Sequence, residues 1–574
     1  MSPFPDNMLL TRALIVALSI FVTACGGQRT PQYHQKLVIL GIDGLDPDLV
    51  YRFMDAGKLP NMLKLAKQGA RQRLETTPSP GTSAWASFST GTNAGKHGVF
   101  GGEARPRRRG AAFWTLAGQA GVRSSVLTVP LTFPPEDVPN GELLSGWPTP
   151  DLRDTPGTYT YFSTDVAQKD DGATFDGGIR HHLAFRGDVA RSVIAGPQEL
   201  SLPVSVFWNR DGKSATIEID GTSVRLEEGE WSKWIPIDFG RSWLSRKRGI
   251  IEFCLMHAGT TFALYASPIQ WKADNPPAPL SAPARLSSDL YERIGPYRTL
   301  GWAEATSALD AGLIDDKAFM DDVVRAFDDR AQIILQRIDT KKWDLLVGEI
   351  DSVDHIQHVM WRLMDPAHPA HDRTAAPKFG EAIERLYRRC DDLVGEVVKH
   401  VDPETTILVL SVYGEHGVTQ TFDLNRWLAD EKLPGTIAAT PTGGIALSPE
   451  GRDAAEHLAA RLASVLDPVS GTPVISAVFR REAVYSGPEV STAPDLQVGF
   501  APGYAIGAGS VLFAPNKRKW SADHEALDYR SVPGTLISNR PTTTDTPRVM
   551  DIAPTVLRYF GVPIPREIDG TSIF

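Results

Sequence analysis

The sequence predicts an α/β protein in which a mainly parallel sheet is flanked by helices and interrupted by an inserted β-rich subdomain. Three observations predict it. Short apolar runs recur at Leu37 to Asp43 (LVILGID), Ser124 to Val129, Trp343 to Ile350 and Thr405 to Ser411, each with the length and content of a buried strand. Stretches of helical period lie between them, at Pro47 to Gln68 (apolar at Leu49, Phe53, Leu63 and Leu65), Phe319 to Ile338 and Lys378 to His400, and strands alternating with helices build parallel sheets. Between about 157 and 283 the texture changes to short alternating strands, such as SATIEIDGTSVRLEEGEW (Ser214 to Trp231), with Asp-Gly turn signals at Asp211 and Asp220.

The chain of 574 residues exceeds one ordinary core, so a large domain with an insertion, or two domains, is expected. Its 42% hydrophobic and 22% charged residues are globular values, and 43 prolines with 50 glycines imply many loops. A net charge of −10 provides no broad basic surface, which excludes nucleic acid as the expected partner. The run Arg105 to Arg109 reads as a solvated loop.

The N-terminus reads as a targeting segment. Arg12 precedes an apolar stretch, Ala13 to Ala24, too short to span a bilayer and of signal-peptide length. Val22-Thr23-Ala24-Cys25 resembles a bacterial lipobox, which implies cleavage before Cys25 and lipid attachment to its thiol. The expected mature protein is tethered to a membrane by lipid, facing the periplasm of a cell envelope, and the neutral Gly26 after Cys25 favours the outer membrane. The expected segments are a signal peptide (1–24), a tether (25–35), a first core part (36–156), the β-rich insertion (157–283) and a second core part (284–574). Only Cys254 and Cys390 remain, too few for a disulfide framework or a cysteine metal site.

Ligands of parallel sheets sit beyond the carboxyl ends of the strands, so acidic residues that follow apolar runs are candidates. Asp43, Asp351 and Asp354 qualify. Asp354 and His358, four apart, would share a helix face and offer oxygen and nitrogen to zinc or a similar divalent ion. Taken alone, the same region reads equally well as a capped helix start.

Six ordered stretches widen the pattern: GIDGLDP (Gly41 to Pro47), STGTNAGKHGVF (Ser89 to Phe100), GWPTPDLRDTPGTYTYFS (Gly146 to Ser163), SVDHIQHVMWRLMDPAHP (Ser352 to Pro369), SADHEALDYRSVPGTLISNR (Ser521 to Arg540) and DIAPTVLRYFGVPIPREIDG (Asp551 to Gly570). Together they resemble the alkaline phosphatase superfamily, closest to its type I phosphodiesterase/nucleotide pyrophosphatase branch, from about residue 36 to the C-terminus. The resemblance implies an alkaline phosphatase-like fold, phosphoester ligands and two metal ions about 4 Å apart. It implies one ion at Asp354, His358 and His524. It places the other at Asp43, at an Asp-His pair after the strand Thr405 to Ser411, and at a Ser or Thr nucleophile beginning a helix before the STG motif.

The chain departs from that pattern. Val412 and Tyr413 stand where the Asp-His pair belongs, and Gly81 falls at the nucleophile position. Glu415 and His416 are candidate substitute ligands, reached by a three-residue slip, and Thr82 is the candidate substitute nucleophile. One residue along a helix start turns a side chain by about 100°, and an N-cap role competes for Thr82. A hydroxyl nucleophile needs a base or a metal to activate it.

Three readings follow. The first is a lipid-anchored binding or structural protein that keeps one metal site and has lost turnover. The second is a working phosphoester hydrolase with a rearranged site, its attacking group being Thr82 or a metal-activated water. In the third the β-rich insertion, with Trp208, Trp231, Trp234 and Trp243, is the functional part and docks another envelope component.

Overall fold

A computed structural model describes residues 33–102, 106–165, 174–175, 177–240, 246–431, 436–509 and 511–574. The expected signal peptide, Cys25, Arg105 and Trp243 lie outside the described residues. No helix among the described residues is long and apolar enough to cross a membrane.

The fold is α/β. Its largest sheet has eight strands: β1 (Leu37–Ile42), β2 (Ala70–Leu74), β3 (Ser124–Leu127), β4 (Glu142–Leu144), β5 (Ser281–Ala282), β6 (Leu345–Ile350), β7 (Thr406–Leu410) and β8 (Gly534–Ser538), in the order β5-β4-β3-β6-β1-β7-β8-β2. The pairs β4–β3, β3–β6, β6–β1 and β1–β7 are parallel. The outer pairs β5–β4, β7–β8 and β8–β2 are antiparallel. β1 and β6 are buried along their whole length, as strands covered on both faces must be, which explains their unbroken apolar sequence.

Helices cover both faces of the sheet, which separates two apolar clusters. One contains Val38, Leu40 and Ile42, the other Leu37, Ile39 and Trp85, so alternate residues of β1 serve opposite sides. The expected helix Pro47 to Gln68 is two helices, Pro47–Asp55 and Pro60–Gln68. Pro60 sits in the first turn of the second, where its missing N–H costs nothing.

Strands between Tyr159 and Trp271 form sheets separate from the large one. The Asp-Gly turn at 220–221 joins Ser214–Ile219 to Thr222–Glu227 in antiparallel register, with positive φ at both residues. Of the tryptophans there, Trp208 is buried and donates to the carbonyl of Ala258 at 2.8 Å, and Trp231 donates to that of Ala318 at 3.1 Å. Core packing accounts for both. Arg108 pairs with Glu136 and Arg109 with Glu489, so those two cations are already answered within the protein. Cys254 and Cys390 are buried free thiols.

Candidate metal centre

The acidic residues sit where the parallel topology puts them, beyond the carboxyl ends of β1, β6 and β7. Asp43 follows β1, and its N–H is fixed by the Ile350 carbonyl at 2.9 Å. After β6 the chain turns into helix α1 (Ser352–Met364), whose first turn carries Asp354. His358 lies one turn on, with Nε2 3.3 Å from Asp354 Oδ2. Gly44, at φ 70°, lets the first loop pass against this helix, where a Cβ would stand 2.7 Å from the Asp354 Cα.

His524 arrives from a distant segment. His416 and Asp523 pair in a short antiparallel ladder, which sets the adjoining Glu415 and His524 side by side. His524 Nδ1 lies 3.0 Å from Glu415 Oε1 and 3.5 Å from Asp354 Oδ1, and His358 Nε2 lies 3.6 Å from Glu415 Oε1. One ligand atom from each of Asp354, His358, Glu415 and His524 falls within 4.8 Å of the others, and all four residues are buried. His358 Nδ1 donates to the Ala522 carbonyl at 2.8 Å, which leaves Nε2 with its lone pair toward the cluster.

This donor set fits a divalent cation. Asp354 Oδ1 and Glu415 Oε2 are buried without a hydrogen-bond partner, a costly state for carboxylate oxygens that a metal would relieve. Burial raises the Glu415 carboxyl well above its ordinary range, helped by the neighbouring charge of Asp354. Burial also works to raise Asp354, but His358 and His524 outweigh it and hold that group low. Burial lowers His524 to about 4, so its imidazole is neutral near pH 7 and able to ligate.

The place expected for a second ion is built differently. Tyr413 Oη donates to Asp43 Oδ2 at 2.7 Å, and its ring stacks on His524 with centroids 3.9 Å apart. Val412 is fully buried in the apolar cluster with Trp85 and Leu410. Burial, then the charge of Asp354, pushes Asp43 up to about 8, so this carboxyl is neutral at pH 7. A phenol and an aliphatic side chain in place of two ligands do not fit a cation there. Gly81 caps the helix Thr82–Thr90 at φ 91°, and a Cβ on it would lie 3.3 Å from His524 Nε2.

Of the residues singled out from sequence, the structure brings together Asp354, His358, His524 and Glu415. His416 does not join them, because its Nε2 lies 3.0 Å from the Ser531 carbonyl. Asp43 and Thr82 line the same cavity, of about 310 Å³, without joining the four. Glu415 thus stands beside the trio rather than at the second position. The ladder that puts it there is a long-range pairing with no local sequence signal.

Sequence reasoning missed the aromatic walls. Trp520 stacks on His358 at 4.0 Å and Trp302 on His355 at 3.9 Å, and with Trp147 they line the cavity. Behind them Glu304 takes hydrogen bonds from Ser352 Oγ at 2.6 Å and from His355 Nδ1 at 2.6 Å. Burial would lower His355, but Glu304 outweighs it and raises the imidazole to about 9.

In this parallel-sheet fold the carboxylates and imidazoles gathered at the strand ends form a candidate divalent-metal centre at the place where such sheets bind ligands. The chain belongs to the type I phosphodiesterase/nucleotide pyrophosphatase family, whose model matches residues 37–176 and 238–511. Two solved structures are distantly similar. An inactive variant of murine ectonucleotide pyrophosphatase/phosphodiesterase 5 in complex with AMP is 11% identical, covering 93% of this chain and 96% of that one at a TM-score of 0.45. Phosphonoacetate hydrolase from Sinorhizobium meliloti in complex with phosphonoacetate is 12% identical, covering 92% and 96% at a TM-score of 0.47. No curated protein matches the sequence.

Proposed function

We propose that this protein binds phosphoester ligands at a single divalent-metal centre without turning them over, and that it does so from a lipid anchor at Cys25 in the bacterial envelope. The observation that carries the loss of turnover is the Tyr413–Asp43 hydrogen bond of 2.7 Å, which fills the second-ion position with a phenol. Gly81 supports it, since no hydroxyl stands at the helix start and His524 leaves little room for one.

Asp354, His358, Glu415 and His524 would hold the ion. Two imidazoles and two carboxylates favour zinc. When bound, the ion supplies positive charge that attracts a phosphoester oxygen. The chain's own contribution is a cavity in which Trp147, Trp302 and Trp520 offer flat faces to the organic part of a ligand. The anchor and the outer-membrane placement rest on the lipobox resemblance alone.

The test is metal content by mass spectrometry together with hydrolysis of a bis-aryl phosphodiester in added zinc or manganese. One ion at the four-residue centre, bound more weakly in Glu415→Ala, and no turnover are expected. Metal-dependent turnover that Asp354→Ala abolishes would overturn the reading.

A further inference from the structure

We propose that the phosphoester held at the metal centre carries an ammonium group on its organic arm, and that Glu349, Asp351 and the indoles around them receive that group. The inference rests on the metal reading above and adds the class of ligand. It starts from the charge of the cavity. Five carboxyls line it, those of Asp43, Glu349, Asp351, Asp354 and Glu525, and among the described residues no lysine or arginine does. The imidazolium of His355 is already answered by Glu304 at 2.6 Å. With the phosphate oxygens on the ion, a second anionic group of the ligand would meet only acids, whereas a cation would be attracted.

Glu349 is a cavity group that the metal centre does not use. It is 1% exposed, its Oε1 has no hydrogen-bond partner, and among the described residues no ion pair engages its side chain. A buried carboxyl is rarely left in that state unless something else completes it. Asp351, two residues on and also lining the cavity, is answered at one oxygen only: Arg330 Nη2 lies 3.4 Å from Oδ2, while Oδ1 is buried without a partner.

Aromatic faces complete the surroundings. Gly41 is the register partner of Glu349 on β1, and Trp85 occupies the space its missing side chain leaves: a Cβ there would stand 2.8 Å from the indole Cη2 and 3.7 Å from the Glu349 Cβ. One indole thus lies beside the unanswered carboxyl. Trp147, Trp302 and Trp520 are half-buried in the same cavity. Carboxylates set among indole faces are the chemistry that recognises an ammonium group. The cavity, of about 310 Å³, lies at the lower end of the range for small-ligand sites, which suits a phosphate with a short arm.

Without a ligand, burial and then the charge of Asp351 raise the Glu349 carboxyl well above its ordinary range, against the opposing effect of Arg330, and the group keeps its proton. An ammonium placed beside it favours the carboxylate, and the proton passes to solvent. The geometry supplies the site; the proton only marks the empty state.

The test titrates the zinc-loaded full chain, in neutral detergent micelles, with phosphocholine and separately with neohexyl phosphate, in which carbon replaces the charged nitrogen, by calorimetry. The two probes share shape and phosphate and differ in one charge. Phosphocholine is expected to bind at least about ten-fold more tightly, the effect of a desolvated cation among aromatic faces and a carboxylate. In Glu349→Gln the ratio of the two affinities should fall to near one, and measurable binding of neohexyl phosphate by the variant shows that it has folded. Equal affinities in the wild-type protein would overturn the ammonium inference and leave the metal reading standing. A preference that Glu349→Gln does not change would overturn the assignment to this carboxyl. Binding of neither phosphate would overturn the metal reading and this inference with it.

Discussion

Tyr413 and Asp43, 370 positions apart in sequence, are joined by a 2.7 Å hydrogen bond in which the phenol donates to the carboxyl. The same ring lies flat on His524, so one side chain both closes the second-ion position and forms a wall of the first.

Tyr413→Phe removes the donor and keeps the ring. Asp43 Oδ1 has no hydrogen-bond partner of its own, so the variant leaves that carboxyl with only the neighbouring Trp85 to answer it. A loss of about 1–3 kcal/mol in urea unfolding is expected, with metal content unchanged. A midpoint equal to wild type would show that water takes the place of the phenol.

Asp43 also predicts a pH dependence. Its folded value of about 8 stands far above its ordinary 3.8, so between those limits the folded state holds a proton the unfolded state has lost. Stability therefore falls as pH rises from about 4 to about 8; the cost is absent below that window and complete above it. In chelator-treated protein, Asp43→Asn removes this contribution. Its stability relative to wild type should grow by on the order of 2–4 kcal/mol between pH 5 and pH 8. Parallel curves for the two proteins would contradict the assignment.

Glu415 and His416 are neighbours with different expected effects. Glu415→Ala deletes one of four converging donors and should weaken zinc binding at least ten-fold, about the effect of losing even a supporting group. His416→Ala should leave affinity unchanged, because that imidazole is turned to the Ser531 carbonyl. Competition with a chromogenic chelator measures both.

Gly81→Thr restores a hydroxyl in sequence but not in geometry. At φ 91° a β-branched residue is strained, and its Cβ would press on His524 at 3.3 Å. A cost of about 1–3 kcal/mol and no bis-aryl phosphodiester turnover are expected. Turnover in this single variant would show that the nucleophile alone had been missing.

The N-terminal anchor predicts a labelling result. Fatty-acid labelling in a bacterial host should mark the chain and fail on Cys25→Ser, leaving the protein released from membranes. Label retained by the variant would remove the anchor from the proposed function.

The α/β class, the central strands and the Asp354–His358 pair were legible because they rest on local order. Apolar runs specify buried strands, and a spacing of four on a helix specifies a shared face. The departures at Gly81, Val412 and Tyr413 were legible as well, since a missing lone pair or hydroxyl is a property of the residue itself. The break in the helix Pro47 to Gln68 was written in Pro60 and overridden in the reading by the apolar period around it.

What only the tertiary structure decided is where the substitutes go. Glu415 and His524 meet through the His416–Asp523 ladder, and Tyr413 reaches Asp43 across neighbouring strands. Both are pairings of residues more than a hundred positions apart, set by strand order and register. Sequence specifies which groups can donate or accept; the packing of the sheet determines which of them share a site and lose their water.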